Sequence, residues 1–301
     1  MLSSSRSFVV FSGTSNKKLS TEIAGSLGVK LGDLEIKDFP DGEIGVHVSE
    51  VVRGRDVFVV QSMAKKPNFY LMELLIIIDA LKRASAKAIY PIIPYYCYSR
   101  QDRKNEGREP ITAKLVADLL EKSGADGVIT MDLHTDQIEG FFNIPVDHLR
   151  SSSTIIDSLK KHKIDDLVVV SPDVGSLRLG REYSSELSVD LAVLNKRRLN
   201  PKQVEASALI GEVTGKNVLL VDDICSTGET IKNAAKVCKA LGAKKVYAAI
   251  AHGLKDHLLE DDPLIEKVFV TNSIERSSAS SKCEIVSVGK LFAKAIEKIV
   301  S

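Results

Sequence analysis

The sequence predicts an α/β protein with two similar domains, each a mostly parallel sheet flanked by helices. Short Val/Ile-rich runs alternate with longer segments of helical period, and continuous apolar strands of this kind are typical of parallel sheets covered on both faces. A helix–glycine–strand unit recurs in both halves, with Gly124 and Gly242 where a helix end favours positive φ. The 301 residues, at roughly 150 residues per domain, indicate two domains.

The elements follow one another in a regular order. Apolar runs predict strands at 8–11, 57–61, 88–93, 127–131, 167–171, 191–194, 217–221, 246–251 and 268–271. Amphipathic period predicts helices at 17–27, 69–84, 111–123, 152–161, 176–186, 228–241 and 290–299. The stretch near residue 150 is the least regular. We therefore expect a first domain of residues 1–150, joined by the C-terminal helix 290–301, and a second of residues 151–289.

Two further segments bear on whether the chain spans a membrane and on where it has a surface loop. Segment 71–81 is the most apolar, but it carries Glu73 and Asp79. Because a membrane span needs about 20 apolar residues, a buried helix is expected instead. Segment 276–282 is small and polar, which predicts a mobile surface loop.

Composition excludes several classes of function. The 41 Lys and Arg residues balance 40 Asp and Glu, whereas general nucleic-acid binders need a basic surplus. The four cysteines form no C-x-x-C pair, which fits a reducing compartment. No targeting segment is recognised. We expect a cytoplasmic protein whose partners include neither nucleic acid nor membrane.

The most informative motif is N-V-L-L-V-D-D-I-C-S-T-G-E-T at 217–230. Asp222 and Asp223 end an apolar strand, and a short turn then opens a helix whose first amides and dipole favour phosphate. Gly228 permits close backbone approach. Hydroxyl donors are Ser226, Thr227 and Thr230. The carboxylates can accept hydrogen bonds from a ribose diol, so the motif predicts a phosphoribosyl site. The alternative is a Ser/Thr-capped turn with solvated aspartates.

Other polar tracts lie where predicted strands end or helices begin. They are 38–43 (D-F-P-D-G-E), 91–103, 108–114 (R-E-P-I-T-A-K), 132–134 (D-L-H), 171–175 and 195–198 (N-K-R-R). Together with 72–87 they resemble the ribose-phosphate pyrophosphokinase family over residues 11–289. The resemblance implies type I phosphoribosyltransferase-like domains. It also implies transfer of the β,γ-diphosphate of ATP to the 1-hydroxyl of ribose 5-phosphate, giving phosphoribosyl diphosphate and AMP for nucleotide biosynthesis.

The resemblance assigns the nucleotide-binding residues. Asp41 and Glu43 recognise adenine across a subunit contact, and Phe39 stacks nearby. Arg100 and Gln101 hold ATP. A homo-oligomer, a hexamer or smaller and built from dimers, is therefore implied.

The same resemblance assigns residues to the metal ion and to the transferring diphosphate. His134 and Asp173 bind Mg²⁺ on the nucleotide side, and Lys196 and Arg198 close over the transferring diphosphate from a mobile loop. Mg²⁺ prefers oxygen ligands and keeps several waters, so the histidine rests on the family alone. Arg offers bidentate contacts to phosphate and Lys a point charge.

The sugar phosphate is assigned to the strand-end motif and to Arg198. Asp222 and Asp223 hold the ribose hydroxyls, partly through a second Mg²⁺. The residues that cradle the 5-phosphate are Ser226, Thr227, Gly228, Glu229 and Thr230. Two of them depart from the family pattern, since many members carry an acidic residue at the position of Ser226 and commonly glycine at that of Glu229.

Alternatives remain at this point. A non-catalytic family member that regulates an active partner tends to lose loop or metal residues, which are retained here. A phosphoribosyltransferase that consumes phosphoribosyl diphosphate is usually a single domain. Locally, Asp41-Gly42 can be a plain hairpin turn, His134 a capped core histidine, and 196–198 a solvated basic run.

Overall fold

The computed structural model describes residues 7–197, 206–257, 259–276 and 280–301, and these form two compact units. The first unit comprises the described residues up to Arg150, residues 273–275 and residues 287–301. The second comprises residues 151–272 and the described part of 276–286.

The helices and strands alternate along the chain. The strands are β1 Phe8–Ser12, β2 Leu34–Asp38, β3 Ile44–Val48, β4 Asp56–Val60, β5 Ala88–Ile93, β6 Val128–Met131, β7 Val146–Leu149, β8 Leu167–Ser171, β9 Leu191–Arg197, β10 Ala206–Ile210, β11 Asn217–Cys225, β12 Lys245–Gly253, β13 Lys267–Thr271 and β14 Cys283–Val286. The helices are α1 Lys17–Ser26, α2 Pro67–Arg83, α3 Thr112–Ser123, α4 Ser152–Lys160, α5 Leu177–Leu187, α6 Glu229–Ala240 and α7 Gly289–Val300, and a short 3-10 helix spans Asp136–Phe141.

The first unit is built on a parallel sheet in the order β1-β4-β5-β6-β7, and β2 and β3 form a separate antiparallel hairpin. Successive residues of a strand point to opposite faces. Val57 and Val59 of β4 therefore pack with α2 and α3. Phe58 and Val60 pack with α1 and α7. The last helix of the chain thus completes the core of the first unit.

The second unit repeats this plan. Its sheet has the order β10-β9-β8-β11-β12-β13-β14 and is parallel except for the β9–β10 pair. Val218 and Leu220 of β11 pack beneath α6, whereas Leu219 and Val221 pack against α4 and α5. Each unit runs strand, helix, antiparallel pair, strand, helix and strand in sequence, which confirms the predicted fold class.

Every predicted strand and helix is confirmed within a few residues. Gly124 ends α3 with a φ of +119°, as the helix–glycine–strand pattern predicts. Strands β2, β3, β7, β10 and β14 were not among the predicted strands, because they lie at sheet edges and lack the continuous apolar run of a central strand.

The described residues test three further expectations, which concern the cysteines, a membrane span and a surface loop. All four cysteines are free and buried, and no described helix has the length and apolarity to cross a bilayer. Residues 277–279 of the predicted surface loop 276–282 lie outside the described residues. The prediction is wrong at Arg276, which is buried and paired with Glu260. Local composition cannot reveal an acidic partner that lies sixteen positions away.

Candidate active site

The predicted sugar-phosphate and metal carboxylates of the second unit lie at one edge of its sheet. Strands β8 and β11 are parallel neighbours, with Val170 opposite Leu220. Asp173 follows β8, and Asp222 and Asp223 lie in the last part of β11. Ligands of open α/β sheets bind beyond such carboxyl ends, so the fold brings three separate carboxylates to the favoured edge.

The Asp222 carboxyl has a strongly altered protonation equilibrium. Its pKa is raised to about 8 by burial first, then by the charge of Asp223 and a side-chain hydrogen bond with it, and by the charge of Asp173, whereas one backbone hydrogen bond lowers it. That bond runs from the Asp223 N–H to Asp222 Oδ1 over 3.1 Å. Near neutral pH the pair therefore retains a proton that isolated aspartates would lose.

The turn after β11 has the geometry of an anion site. Gly228 precedes α6 with a φ of +82°, a left-handed conformation that glycine adopts without strain. Thr227 Oγ1 accepts a hydrogen bond from the Glu229 N–H at 3.4 Å, and Glu229 itself is exposed. The first N–H groups of α6 have no acceptor within the helix, so amides and hydroxyls are presented together.

The loop that carries Asp173 is stabilised by hydrogen bonds between its own residues. Asp173 Oδ1 accepts a hydrogen bond from the Ser176 N–H at 3.1 Å, and Ser176 Oγ donates to the Asp173 carbonyl at 3.2 Å. The carboxylate is half-buried. Its second oxygen is thus left for the site at the end of β8.

The predicted catalytic residues lie at the limit of the described chain. The backbone of Lys196 belongs to β9 and pairs with Ser207 of β10. Arg198 lies outside the described residues.

In the first unit, the predicted adenine-binding residues lie on the β2–β3 hairpin. The Phe39 N–H donates to the Glu43 carbonyl at 2.8 Å, and the Gly42 N–H donates to the Phe39 carbonyl at 2.9 Å. Asp41 Oδ1 accepts from the Glu43 N–H at 3.2 Å. Residues 39–43 therefore form a hairpin turn, and this geometry does not exclude a contact with adenine. Phe39 is 49% exposed, unusual for a phenylalanine that serves only packing.

Arg100 and Gln101 are exposed and follow β5. The Gln101 side-chain oxygen accepts from the Thr112 hydroxyl, and its carbonyl accepts from the Ala113 N–H at 3.2 Å. These bonds fasten the predicted ATP-binding tract to the start of α3.

His134 lies on an exposed turn just beyond β6, so the core-histidine alternative is wrong. The turn is supported on both sides. The Leu133 N–H donates to His148 Nε2 at 2.9 Å, and Thr135 Oγ1 donates to Asp102 Oδ2 at 3.0 Å. The second bond ties the His134 turn to the tract that carries Arg100 and Gln101.

His148 is a supporting residue that the sequence did not reveal. Burial lowers its pKa, as does Arg150, and this outweighs the opposite effect of Glu139. A neutral ring can accept from Leu133 at Nε2 while Nδ1–H faces Glu139. No motif marks such a histidine, because its role depends on pairing between β6 and β7.

Two further features of the described residues do not involve the predicted site residues. No group of three or more His, Cys, Asp or Glu side chains is arranged to hold a metal there. A cavity of about 730 Å³ lies at the opposite, amino-terminal edge of the second sheet. Its charged lining consists of Lys160, Lys163, Asp166, Asp190 and Lys216.

The duplicated α/β fold and the strand-end phosphate turn define a protein of the phosphoribosyltransferase class. A family model described as the N-terminal domain of ribose phosphate pyrophosphokinase matches residues 8–124. The phosphoribosyl transferase domain model matches residues 147–282.

The similarity to known proteins narrows this class to one family. A ribose-phosphate pyrophosphokinase of Thermosipho africanus is 47% identical, covering 96% of this chain and 93% of its own length. One of Chlorobaculum tepidum is 48% identical, with coverages of 96% and 91%. The crystal structure of phosphoribosylpyrophosphate synthetase from Mycobacterium smegmatis matches with a TM-score of 0.91 and 40% identity, over 97% of this chain and 98% of that one. The chain belongs to the ribose-phosphate pyrophosphokinase family and is an enzyme of that class.

Proposed function

We propose that this protein transfers the β,γ-diphosphate of ATP to the 1-hydroxyl of ribose 5-phosphate, releasing phosphoribosyl diphosphate and AMP. The observation that carries the proposal is the β11–α6 edge, where Asp222 and Asp223 adjoin a phosphate-type turn in a chain of this family. As an enzyme of nucleotide biosynthesis, it is proposed to act in the cytoplasm.

Ribose 5-phosphate occupies the second unit in this proposal. Its phosphate accepts hydrogen bonds from the amides and hydroxyls of 226–230, where the α6 dipole favours negative charge. Its hydroxyls donate to Asp222 and Asp223. The alcohol and phosphate ends are thereby distinguished, which fixes the direction in which the 1-hydroxyl points.

The carboxylates of the second unit fit a divalent cation. Besides burial, the charges of Asp223 and Asp173 raise the pKa of Asp222, as is expected where three carboxylates follow neighbouring strands. Mg²⁺ takes oxygen ligands and commonly one or two carboxylates with substrate phosphates. Asp173 is proposed to bind one Mg²⁺, and Asp222 and Asp223 contribute to a second. His134, in the first unit, is also proposed as a Mg²⁺ ligand. Bound Mg²⁺ would neutralise charge on the transferring phosphates.

ATP is assigned to residues of the first unit. Phe39, Asp41 and Glu43 contact adenine, and Arg100 and Gln101 contact the phosphates. The exposed hairpin turn suits adenine contacts across a subunit boundary in a homo-oligomer, a hexamer or smaller built from dimers.

Lys196 and Arg198 are proposed to act on the diphosphate in transfer. Little covalent chemistry is required of the protein in such a reaction, so positioning and charge stabilisation dominate. Both cations can interact with the negative oxygens of the transferring group.

The test is product formation by the purified protein. We expect AMP only when ATP, ribose 5-phosphate and Mg²⁺ are all present, with phosphoribosyl diphosphate formed in equal amount. A folded protein that yields no AMP in the complete mixture would contradict the proposal. Diphosphate release from phosphoribosyl diphosphate on adding a nucleobase would identify a phosphoribosyltransferase instead.

A further inference from the structure

A buried guanidinium lies inside the second unit, outside every motif that the sequence singled out for chemistry. The Arg276 side chain is 2% exposed, and its carboxylate partner Glu260 is 5% exposed. Arg276 Nη2 lies 2.6 Å from Glu260 Oε1. Nη1 donates to the Lys255 carbonyl at 2.9 Å, and Nη2 also donates to the Asp256 carbonyl.

All of these acceptors belong to the segment that follows β12, whose described residues are 254–257, 259 and 260. This segment continues the pairing of β12 with β11, which ends with Gly253 opposite Cys225. The Leu254 N–H then donates to the Cys225 carbonyl at 2.9 Å. Cys225 immediately precedes Ser226, the first residue of the proposed phosphate turn.

The segment also packs against residues that flank the phosphate turn. Leu259 is buried in the same apolar cluster as Cys225 and Ile231, which lie on either side of the phosphate turn.

The chemistry of this contact favours a geometric role over a purely stabilising one. Buried ion pairs contribute little net stability, because desolvation offsets their attraction. The planar guanidinium can, however, bind two adjacent carbonyls and a carboxylate in one fixed arrangement, which a lysine cannot reproduce. Arg276 thereby fixes the path of the backbone at Lys255 and Asp256, next to the residue that anchors β11.

We propose that Arg276, paired with Glu260, is a positioning residue for the ribose 5-phosphate site. It holds the backbone at Lys255 and Asp256 against the end of β11 and so keeps the turn 226–230 in the conformation that receives the phosphate. The inference rests on the proposed function of that turn. It assigns to Arg276 no contact with substrate.

The experiment compares ribose 5-phosphate affinity with ATP affinity in the full-length enzyme. Arg276→Met should weaken ribose 5-phosphate binding by about tenfold or more, the size expected when charged hydrogen bonds that fix a site are lost. The KM for ATP should stay within about twofold, since only the sugar-phosphate site is displaced. Arg276→Lys should bind ribose 5-phosphate little better than Arg276→Met, because an ammonium group cannot bind two carbonyls and a carboxylate in the planar arrangement of a guanidinium.

A second variant separates positioning from folding. Arg276→Met combined with Glu260→Gln removes the unpaired buried charge, so thermal stability should recover while ribose 5-phosphate affinity stays low. Glu284→Gln is the matched control. It weakens contacts with Ser158, His162 and Lys267 in the same unit and should lower thermal stability without changing that affinity.

The outcomes distinguish this inference from the proposed function. A wild-type enzyme that binds no ribose 5-phosphate would overturn the function itself. If the wild type binds the sugar phosphate and Arg276→Met binds it equally well, the positioning role is wrong. Equal losses for ATP and ribose 5-phosphate would also overturn it, because they would indicate a general structural defect.

Discussion

Asp222 is the residue at which function and stability conflict. Its carboxyl lies half-buried beside Asp223 and within the field of Asp173, and its pKa is raised from 3.8 to about 8. A carboxyl whose folded-state pKa exceeds its unfolded value favours folding most when it is protonated. That contribution is complete below about pH 4 and is lost as the pH rises through 8.

Asp222→Asn should therefore stabilise the free protein at alkaline pH. Asparagine keeps the shape but cannot ionise, so we expect a gain of at least about 1 kcal/mol at pH 8 that shrinks towards pH 4. Thermal unfolding of both proteins across this range measures the difference. The same variant should weaken ribose 5-phosphate binding, because an amide replaces a carboxylate acceptor. A stability difference that does not change with pH would contradict the assigned titration.

At the scale of elements, the strand ends of the first unit differ from that of β11 in the second. Whereas β11 ends with the carboxylates Asp222 and Asp223, β4 is followed by Gln61, which is fully buried. Gln61 Nε2 donates to Glu73 of α2 at 2.5 Å. Glu73 also accepts from the Thr14 N–H at 2.8 Å and from the Thr14 hydroxyl at 2.5 Å. The Glu73 carboxylate thus occupies the hydrogen-bond donors of Thr14, which follows β1.

Glu73→Gln should destabilise the protein without affecting the sugar-phosphate site. The substitution removes a buried charge acceptor and introduces an amide that cannot accept from all three donors, at an expected cost of about 1–3 kcal/mol. Thermal unfolding gives the stability, and titration calorimetry gives the ribose 5-phosphate affinity, which should be unchanged. Glu35→Gln, at an exposed ion pair with Lys37, is the control and should change neither. Weaker sugar-phosphate binding in Glu73→Gln would place that ligand in the first unit.

At the scale of the whole molecule, the sequence was most informative where one short segment contains all the necessary signals. Central strands are continuous apolar runs, and the Asp222–Thr230 turn combines carboxylates, hydroxyls and glycine within one stretch. Edge strands such as β14 lack such a run. The supports at His148 and Arg276 depend on partners brought close only by folding, so composition could not indicate them.

Two similar units with different strand ends lead to one ribose 5-phosphate site per chain, located at the β11–α6 turn. The most direct measurement is titration calorimetry of ribose 5-phosphate into wild type, Gly228→Ala and Gly215→Ala. Both glycines have positive φ, +82° and +72°, so alanine imposes similar backbone strain at either position. Gly215 lies at the opposite edge of the same unit. We expect one site per chain in wild type and in Gly215→Ala, and a loss of affinity of about tenfold or more in Gly228→Ala alone. Unchanged affinity in Gly228→Ala, or two equivalent sites per chain in wild type, would contradict the account.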